Sequence, residues 1–339
     1  MILSGWTRHN GNGAAAVVAL ALSGLALAAC GERDGVSGKS AETISFSILS
    51  AQGQASAGPL WQPLLDDMSK AIGAPVEPHF ASTYAALVED MKRGQVQAGW
   101  FSAQPAIDAI RDADAELIAR TVSPDGLESY RATLIVKAGS GITLESVMAC
   151  GRRYSFGIGD AQSTSGTLAP VTWLFNPRGI DPERCFSTVR SNNHERNAFE
   201  VASGVLDVAT SNTVSAAALR AQNPTLAEQI QVIWQSPPIP EGGIVVREDL
   251  DPAIKEKIRS FFLTYGQGNG VEAERQRQVL AGLRYSRFNA ADDDYLDPVR
   301  EMMADQRLTA ARAARDAEGV AAAEQELQSL RAKRREVQP

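Results

Sequence analysis

The sequence predicts an α/β protein of two lobes, each a mostly parallel sheet flanked by helices, with a helical tail at the C-terminus. Strand-like and helix-like segments alternate from residue 43 onward, and the alternation starts again after the turn Ala138-Gly139-Ser140-Gly141. The chain then returns to the first unit, so two crossings are expected, near 136–140 and 236–243. Two lobes joined in this way can close around a small ligand.

The first unit begins with residues 43–49, which alternate as a half-buried strand does, followed by an amphipathic helix that Gly73 ends. Its later elements are predicted as strand 76–80, helix 84–92, strand 96–101, helix 104–113 and strand 130–136. In such βαβ arrangements ligands bind outside the carboxyl ends of the strands.

The second unit repeats the pattern. Its elements are predicted as strand 154–158, helix 164–175, strand 186–190, helix 194–203, strand 208–211 and helix 213–222. Strands 233–236 and 243–247 lead back to the first unit, where helices 252–265 and 271–283 belong. We therefore assign residues 43–136 and 241–285 to lobe 1 and residues 137–240 to lobe 2.

Residues 286–339 form the predicted tail, in which Asp297 caps and Pro298 opens a helix that Gly319 interrupts. Apolar residues are too sparse here for a separate core. Two interpretations stay open: a helix on the surface of the protein, or a pair of helices that wraps a second subunit and makes a homodimer.

The first 30 residues have the pattern of a bacterial lipoprotein signal peptide. Arg8 precedes an apolar run of small residues that ends in a lipobox, Leu27-Ala28-Ala29-Cys30. We expect a periplasmic protein that is anchored to a bacterial membrane by a lipid on Cys30, with residues 31–42 as a flexible linker. The alternative is ordinary cleavage nearby and a secreted protein without a lipid.

Composition excludes several classes of function. The net charge of −7 makes nucleic acid an unsuitable partner. His79 and His194 are the histidines that remain after residue 30, and neither has carboxylates or thiols at ligand spacing, so neither a metal nor another cofactor is expected. Cys150 and Cys185 each precede a predicted strand, which predicts a disulfide in an exported protein; two separate buried thiols are the alternative.

The stretch Gly159-Asp160-Ala161-Gln162-Ser163-Thr164-Ser165-Gly166 places three adjacent hydroxyls where a strand turns into a helix. The first N–H groups of a helix lack internal partners and carry the positive end of its dipole. Hydroxyls and amides can therefore converge on one negative group at this corner. The alternative is a Ser-capped helix start without a ligand.

Together with four other stretches, this corner resembles the phosphonate-binding proteins of ABC importers, which have the type II periplasmic-binding fold. The resemblance extends from about residue 44 to the C-terminus. The other stretches are Tyr84-Ala85-Ala86-Leu87 before Gly94 and Trp100, Asn193-His194-Glu195-Arg196-Asn197-Ala198, Thr210-Ser211-Asn212-Thr213, and Ile233-Trp234-Gln235-Ser236-Pro237-Pro238-Ile239-Pro240. The family implies a substrate-binding protein that delivers its ligand to a permease.

The resemblance also implies which side chains hold the phosphonate oxygens. In the family these are a serine-threonine-serine turn, a histidine at the next strand-to-helix corner, and two tyrosines from the other lobe. The matching positions are Ser163, Thr164, Ser165, His194, Tyr84 and Tyr130.

Departures from the family pattern bear on specificity. Aminoalkylphosphonate binders hold the ligand's ammonium with two acids, at positions where this chain has Val214 and Gly242. A buried ammonium without a carboxylate is costly, so an alkylphosphonate, phosphite or phosphate ester is expected to fit better. Glu241 lies one residue away and could substitute through a loop shift, and Phe101 is a further candidate for specificity.

Three other functions compete with this interpretation. A hydrolytic triad of Ser, His and Asp is disfavoured because Ser163 does not sit in the Gly-x-Ser-x-Gly elbow of α/β-hydrolases. A sensor lobe that reports to a membrane kinase would have the same fold, and phosphate or sulfate could occupy the same corner. The sequence does not separate the last two from a phosphonate importer.

Overall fold

The computed structural model describes residues 43–49 and 54–337. The expected signal peptide, Cys30 and linker 31–42 lie outside these residues. No helix in the described part of the chain is both long enough and apolar enough to cross a membrane.

Thirteen strands occur in the described residues. They are β1 (Ile44–Ile48), β2 (Val76–His79), β3 (Ala98–Phe101), β4 (Ala115–Val122), β5 (Ser129–Tyr130), β6 (Ala132–Lys137), β7 (Ser155–Ile158), β8 (Thr188–Ser191), β9 (Val208–Asn212), β10 (Ile230–Gln235), β11 (Ile239–Pro240), β12 (Gly243–Arg247) and β13 (Arg287–Ala290).

The helices lie between the strands and in the tail. They are α1 (Gln54–Ile72), α2 (Tyr84–Lys92), α3 (Ala103–Asp112), α4 (Leu144–Met148), α5 (Pro182–Cys185), α6 (His194–Ser203), α7 (Thr213–Gln222), α8 (Pro224–Glu228), α9 (Pro252–Thr264), α10 (Val271–Gly282), α11 (Asp297–Ala314) and α12 (Ala317–Val337). In place of the single helix expected over 164–175, two π-helical segments occur, Thr164–Leu168 and Val171–Phe175.

The expected two-lobed α/β fold is confirmed, with one sheet in each lobe. The order of the first sheet is β13-β4-β12-β3-β1-β2, and that of the second is β10-β6-β9-β7-β8. Both sheets are mixed rather than mostly parallel. Parallel pairs join β1 to β2 and β3 and join β7 to β8 and β9, whereas β12 and β6 run antiparallel to their neighbours. The antiparallel strands enter their sheets from the other lobe, without a helical crossover to set a parallel direction.

Two of the predicted lobe boundaries differ from the structure. Strand β6 belongs to the second sheet, although residues up to 136 were assigned to lobe 1, and β13 belongs to the first sheet rather than to the tail. The crossings are β5 and β11, which pair with each other so that Tyr130 lies opposite Ile239. The chain therefore crosses between the two larger sheets at 129–130, and not at 136–140, and crosses back at 239–240. We call these two strands the hinge.

The tail is part of the main fold. Helix α11 packs its buried residues Val299, Met302 and Met303 into a cluster that also contains Tyr130 and Leu168. It thus contacts the hinge and the second lobe, as well as α3 of the first lobe. Helix α12 packs on α11 through a small apolar cluster that comprises Ala304, Leu308, Ala323 and Leu327.

The core of the second lobe lies against a disulfide. Phe156, Phe175 and Phe186 are fully buried and contact one another. Cys185 is part of the same cluster and is bonded to Cys150, with their Cα atoms 4.6 Å apart. This bond joins the segment before β7 to the end of α5 and so supports the strand that leads to the anion corner.

Candidate functional site

The anion corner, residues 159–166, lies between β7 and the first π-helical segment. The Ser163 hydroxyl accepts a hydrogen bond from the Gly166 N–H at 3.0 Å, as an N-cap does. A Cβ atom on Gly159 would lie 2.6 Å from the Gly166 Cα atom, so both positions require glycine. Ser163, Thr164 and Ser165 are at most 3 % exposed.

His194 begins α6, which Asn193 caps, and it meets the corner from the neighbouring strand end. Its Nε2 atom lies 3.1 Å from the Ser165 hydroxyl oxygen. Burial lowers the pKa of His194 to about 4, while the Thr210 backbone carbonyl acts in the opposite direction. The imidazole is therefore neutral near pH 7 before a ligand binds, and one ring N–H can serve as a donor.

Asn212 completes this group, although its place in the stretch 210–213 does not by itself predict a role in the site. Its Nδ2 atom donates to the Ser165 hydroxyl at 3.1 Å, and its Oδ1 atom accepts from the Ser215 N–H at the start of α7. An amide-bearing residue between a buried strand and a helix is the signal that could have identified it. Ser165 is thus held between His194 and Asn212.

Tyr84 and Tyr130 approach the same hydroxyls from the other side of the cleft. Burial raises the pKa of Tyr84, and the charge of Asp160 raises it further, although the Ser163 hydroxyl acts against the shift. Burial also raises the pKa of Tyr130, and the Ser165 hydroxyl again opposes the shift. Both phenols therefore stay protonated and can donate hydrogen bonds to an anion.

Thr164 differs from its two neighbours because it contacts the first lobe. Its hydroxyl accepts a hydrogen bond from the Gln104 backbone N–H, at the start of α3, at 2.8 Å. The hydroxyl proton is still available for an anion. The structure thus brings Tyr84, Tyr130, Ser163, Ser165 and His194 together, and ties Thr164 to the opposite lobe.

Further contacts hold the lobes against each other. Asp160 braces the corner through the Gln162 N–H at 2.9 Å and also accepts from the Tyr84 N–H of the first lobe at 3.4 Å. The Gln162 side chain donates to buried Asp108 at 3.0 Å. Beside these bridges, a cleft cavity of about 570 Å³ reaches Tyr84, Ser163 and His194. Three of the six predicted ligand residues, Tyr84, Ser163 and His194, therefore line a cleft between lobes that are in contact, and the other three are buried.

The four candidate specificity residues have different surroundings. Phe101 is fully buried in the core, and Val214 lines a second, smaller cavity. A Cβ atom on Gly242 would lie 2.3 Å from Cζ2 of Trp100, so the indole ring occupies the space that a longer side chain would need. Glu241 is buried next to the hinge, and this burial raises its pKa to about 7.

Known proteins share both the sequence and the fold. The family model of ABC-transporter, phosphonate, periplasmic substrate-binding proteins matches residues 46–296. The phosphonates-binding periplasmic protein of Escherichia coli K12 is 35% identical over 262 residues, which cover 77% of this chain and 76% of that protein.

Solved structures agree with this match. A binding-protein component of an ABC phosphonate transporter from Pseudomonas aeruginosa is 35% identical and superposes with a TM-score of 0.81, covering 88% of this chain and 99% of that one. The fold is also shared with a Prochlorococcus marinus protein solved with methylphosphonate, at 17% identity and a TM-score of 0.67, covering 77% and 96% of the two chains. The proteins that match at 35% identity are substrate-binding proteins rather than enzymes. The chain therefore belongs to the family of periplasmic substrate-binding proteins of ABC phosphonate transporters.

Proposed function

We propose that this protein holds a phosphonate, or the related phosphite or phosphate ester, at the anion corner and delivers it to its permease. The observation that supports this most is the convergence of hydroxyl, phenol and imidazole groups on one buried corner between the lobes. None of the six residues carries a carboxylate that would repel an anion.

The strength of such a site is adequate without a fixed cation. A hydrogen bond to a charged group contributes about 1.5 to 3 kcal/mol, so four or five donors give roughly 6 to 15 kcal/mol before costs. Desolvation and ordering remove part of this gain. Micromolar binding needs about 8 kcal/mol, which lies within that range.

The positions expected to discriminate among ligands support a substituent without an ammonium group. Val214 is apolar, and Trp100 fills the space next to Gly242, so no acid extends from either position. Glu241 is buried, but the cavities beside the corner are not lined by it. We therefore expect methylphosphonate and phosphite to bind more tightly than 2-aminoethylphosphonate.

Calorimetric titration tests this proposal. The purified protein is titrated with methylphosphonate, phosphite, 2-aminoethylphosphonate, phosphate and sulfate. We expect micromolar or tighter binding of methylphosphonate or phosphite and at least tenfold weaker binding of 2-aminoethylphosphonate. Binding of phosphate or sulfate alone would refute the assignment of phosphonate, and preferred binding of 2-aminoethylphosphonate would refute the argument from Val214 and Gly242.

Attachment to the membrane through Cys30 is a further part of the proposal, and the lipobox pattern supports it. In cells, Cys30→Ala should move the protein from the membrane fraction to the soluble periplasmic fraction. A homodimer through the tail also stays a proposal, although α11 and α12 bury their apolar residues within one chain. Sedimentation equilibrium distinguishes the monomer from the dimer.

A further inference from the structure

A small cavity of about 100 Å³ lies between the two lobes, next to the larger cleft cavity that reaches the anion corner. Trp100 and Tyr285 line it from the first lobe, and Val214 lines it from the second, two residues after Asn212. Ile48 lines both this cavity and the larger cleft cavity, so the two spaces are neighbours. A volume of this size holds about three water-sized groups, which matches a short substituent.

Two buried donors beside this cavity lack acceptors. The indole Nε1 of Trp100 and the guanidinium Nε of Arg284 are both buried and make no hydrogen bond in the described part of the chain. Buried polar groups are nearly always paired, and an unpaired one destabilises the folded protein. Two such donors on one cavity indicate that an acceptor occupies it when the protein is loaded.

Arg284 also stands at an unusual backbone position. It follows the end of α10 with a φ of 65°, in the left-handed region that glycine adopts at less cost. None of the carboxylates in the described residues, buried Glu241 among them, forms an ion pair with Arg284. The positive charge of this guanidinium is therefore available to a ligand.

We propose that this cavity is a subsite for a hydrogen-bond acceptor, preferably a carboxylate, at the end of the ligand's substituent. The inference rests on the proposed function, since the phosphonate group is placed at the anion corner. A guanidinium and an indole N–H can both donate to a carboxylate, and charge assistance strengthens the first bond. An ammonium would instead place donors against donors, so short phosphonocarboxylates are the favoured ligand class.

Phosphonoacetate and isobutylphosphonate form a suitable pair of probes, because the second replaces the two carboxylate oxygens with two methyl groups of similar shape. Calorimetric titration of the protein should give at least about tenfold tighter binding of phosphonoacetate. Arg284→Met and Trp100→Phe should each reduce the ratio of these two affinities, by about tenfold for Arg284→Met and severalfold for Trp100→Phe. Arg331→Met, at an exposed arginine on α12, is the matched control and should leave the ratio unchanged.

Two results would overturn the inference: equal affinities for the two probes in the wild-type protein, or a ratio that Arg284→Met leaves unchanged. Titration with methylphosphonate distinguishes failure of the subsite assignment from failure of the proposed function. If methylphosphonate binds and the ratio is near one, the subsite assignment alone is refuted. If neither methylphosphonate nor phosphonoacetate binds, the phosphonate assignment itself is refuted, and the subsite with it.

Discussion

Glu241→Gln should stabilise the protein at neutral and alkaline pH. The folded state raises the pKa of Glu241 from 4.5 to about 7, first because burial disfavours the carboxylate and also because the charge of Asp125 lies nearby. The folded protein thus binds more protons at this site than the unfolded chain between pH 4.5 and about 7, and its stability falls as the pH rises through this window.

The size of the effect follows from the shift. The two pKa values differ by about 2.5, which at roughly 1.4 kcal/mol per pKa unit gives about 3.5 kcal/mol. The penalty is absent below pH 4.5, where the carboxyl group is protonated in both states, and complete above pH 7. Glutamine imitates the protonated form, so the variant should gain up to about 3.5 kcal/mol in free energy of unfolding near pH 8 and almost nothing near pH 4.

Urea unfolding followed by circular dichroism, repeated across this pH range, measures the difference. Glu318→Gln removes a charge at an exposed position on α12 and is the matched control. A stability difference between Glu241→Gln and wild type that is the same at every pH would show that Glu241 ionises as an exposed carboxyl group does. The reasoning from burial would then be refuted.

Three other variants test the site. His194→Asn should remove the loss of stability that the burial of His194 causes as the pH falls from 6.5 toward 4, where the unfolded chain binds a proton more readily than the folded protein; unfolding of both proteins at several pH values measures this, and parallel curves would contradict it. Ser165→Ala removes the hydroxyl that His194 and Asn212 hold, so methylphosphonate affinity should fall about tenfold or more by calorimetry; an unchanged affinity would remove Ser165 from the site. Gly242→Ala forces a methyl group against Trp100, so urea unfolding should show a loss of about 1 to 3 kcal/mol, and a neutral result would mean that the indole moves freely.

Much of the fold could be predicted because periodicity and turn residues are local signals. The alternation of strands and helices and its restart in a second lobe both follow from such signals. The position of the hinge does not, since residues 130–136 have strand character throughout and nothing in the sequence marks the step at Arg131 from β5 to β6. The antiparallel orientation of β12 depends on its pairing with β3 and β4, which lie more than a hundred residues earlier in the chain. Local sequence patterns do not predict such a pairing.

The candidate site also has one part that local sequence signals predict and one part that depends on long-range packing. The three hydroxyls of the corner are adjacent in sequence, so their convergence could be predicted from one strand-to-helix turn. Trp100 and Arg284 line one cavity only because β3 and the segment after α10 come together in the folded lobe. Their lack of acceptors is a property of the packed interior, and no spacing in the sequence encodes it.

The hydrogen bond from Gln104 to Thr164 has a consequence for how the protein responds to its ligand. One hydroxyl lies at the anion corner and also holds the first turn of a helix in the opposite lobe. An anion that orients this hydroxyl changes the strength of the contact between the lobes, and movement of the lobes changes the affinity for the anion by the same factor. We therefore expect a permease that distinguishes closed from open lobes also to distinguish the loaded from the empty protein.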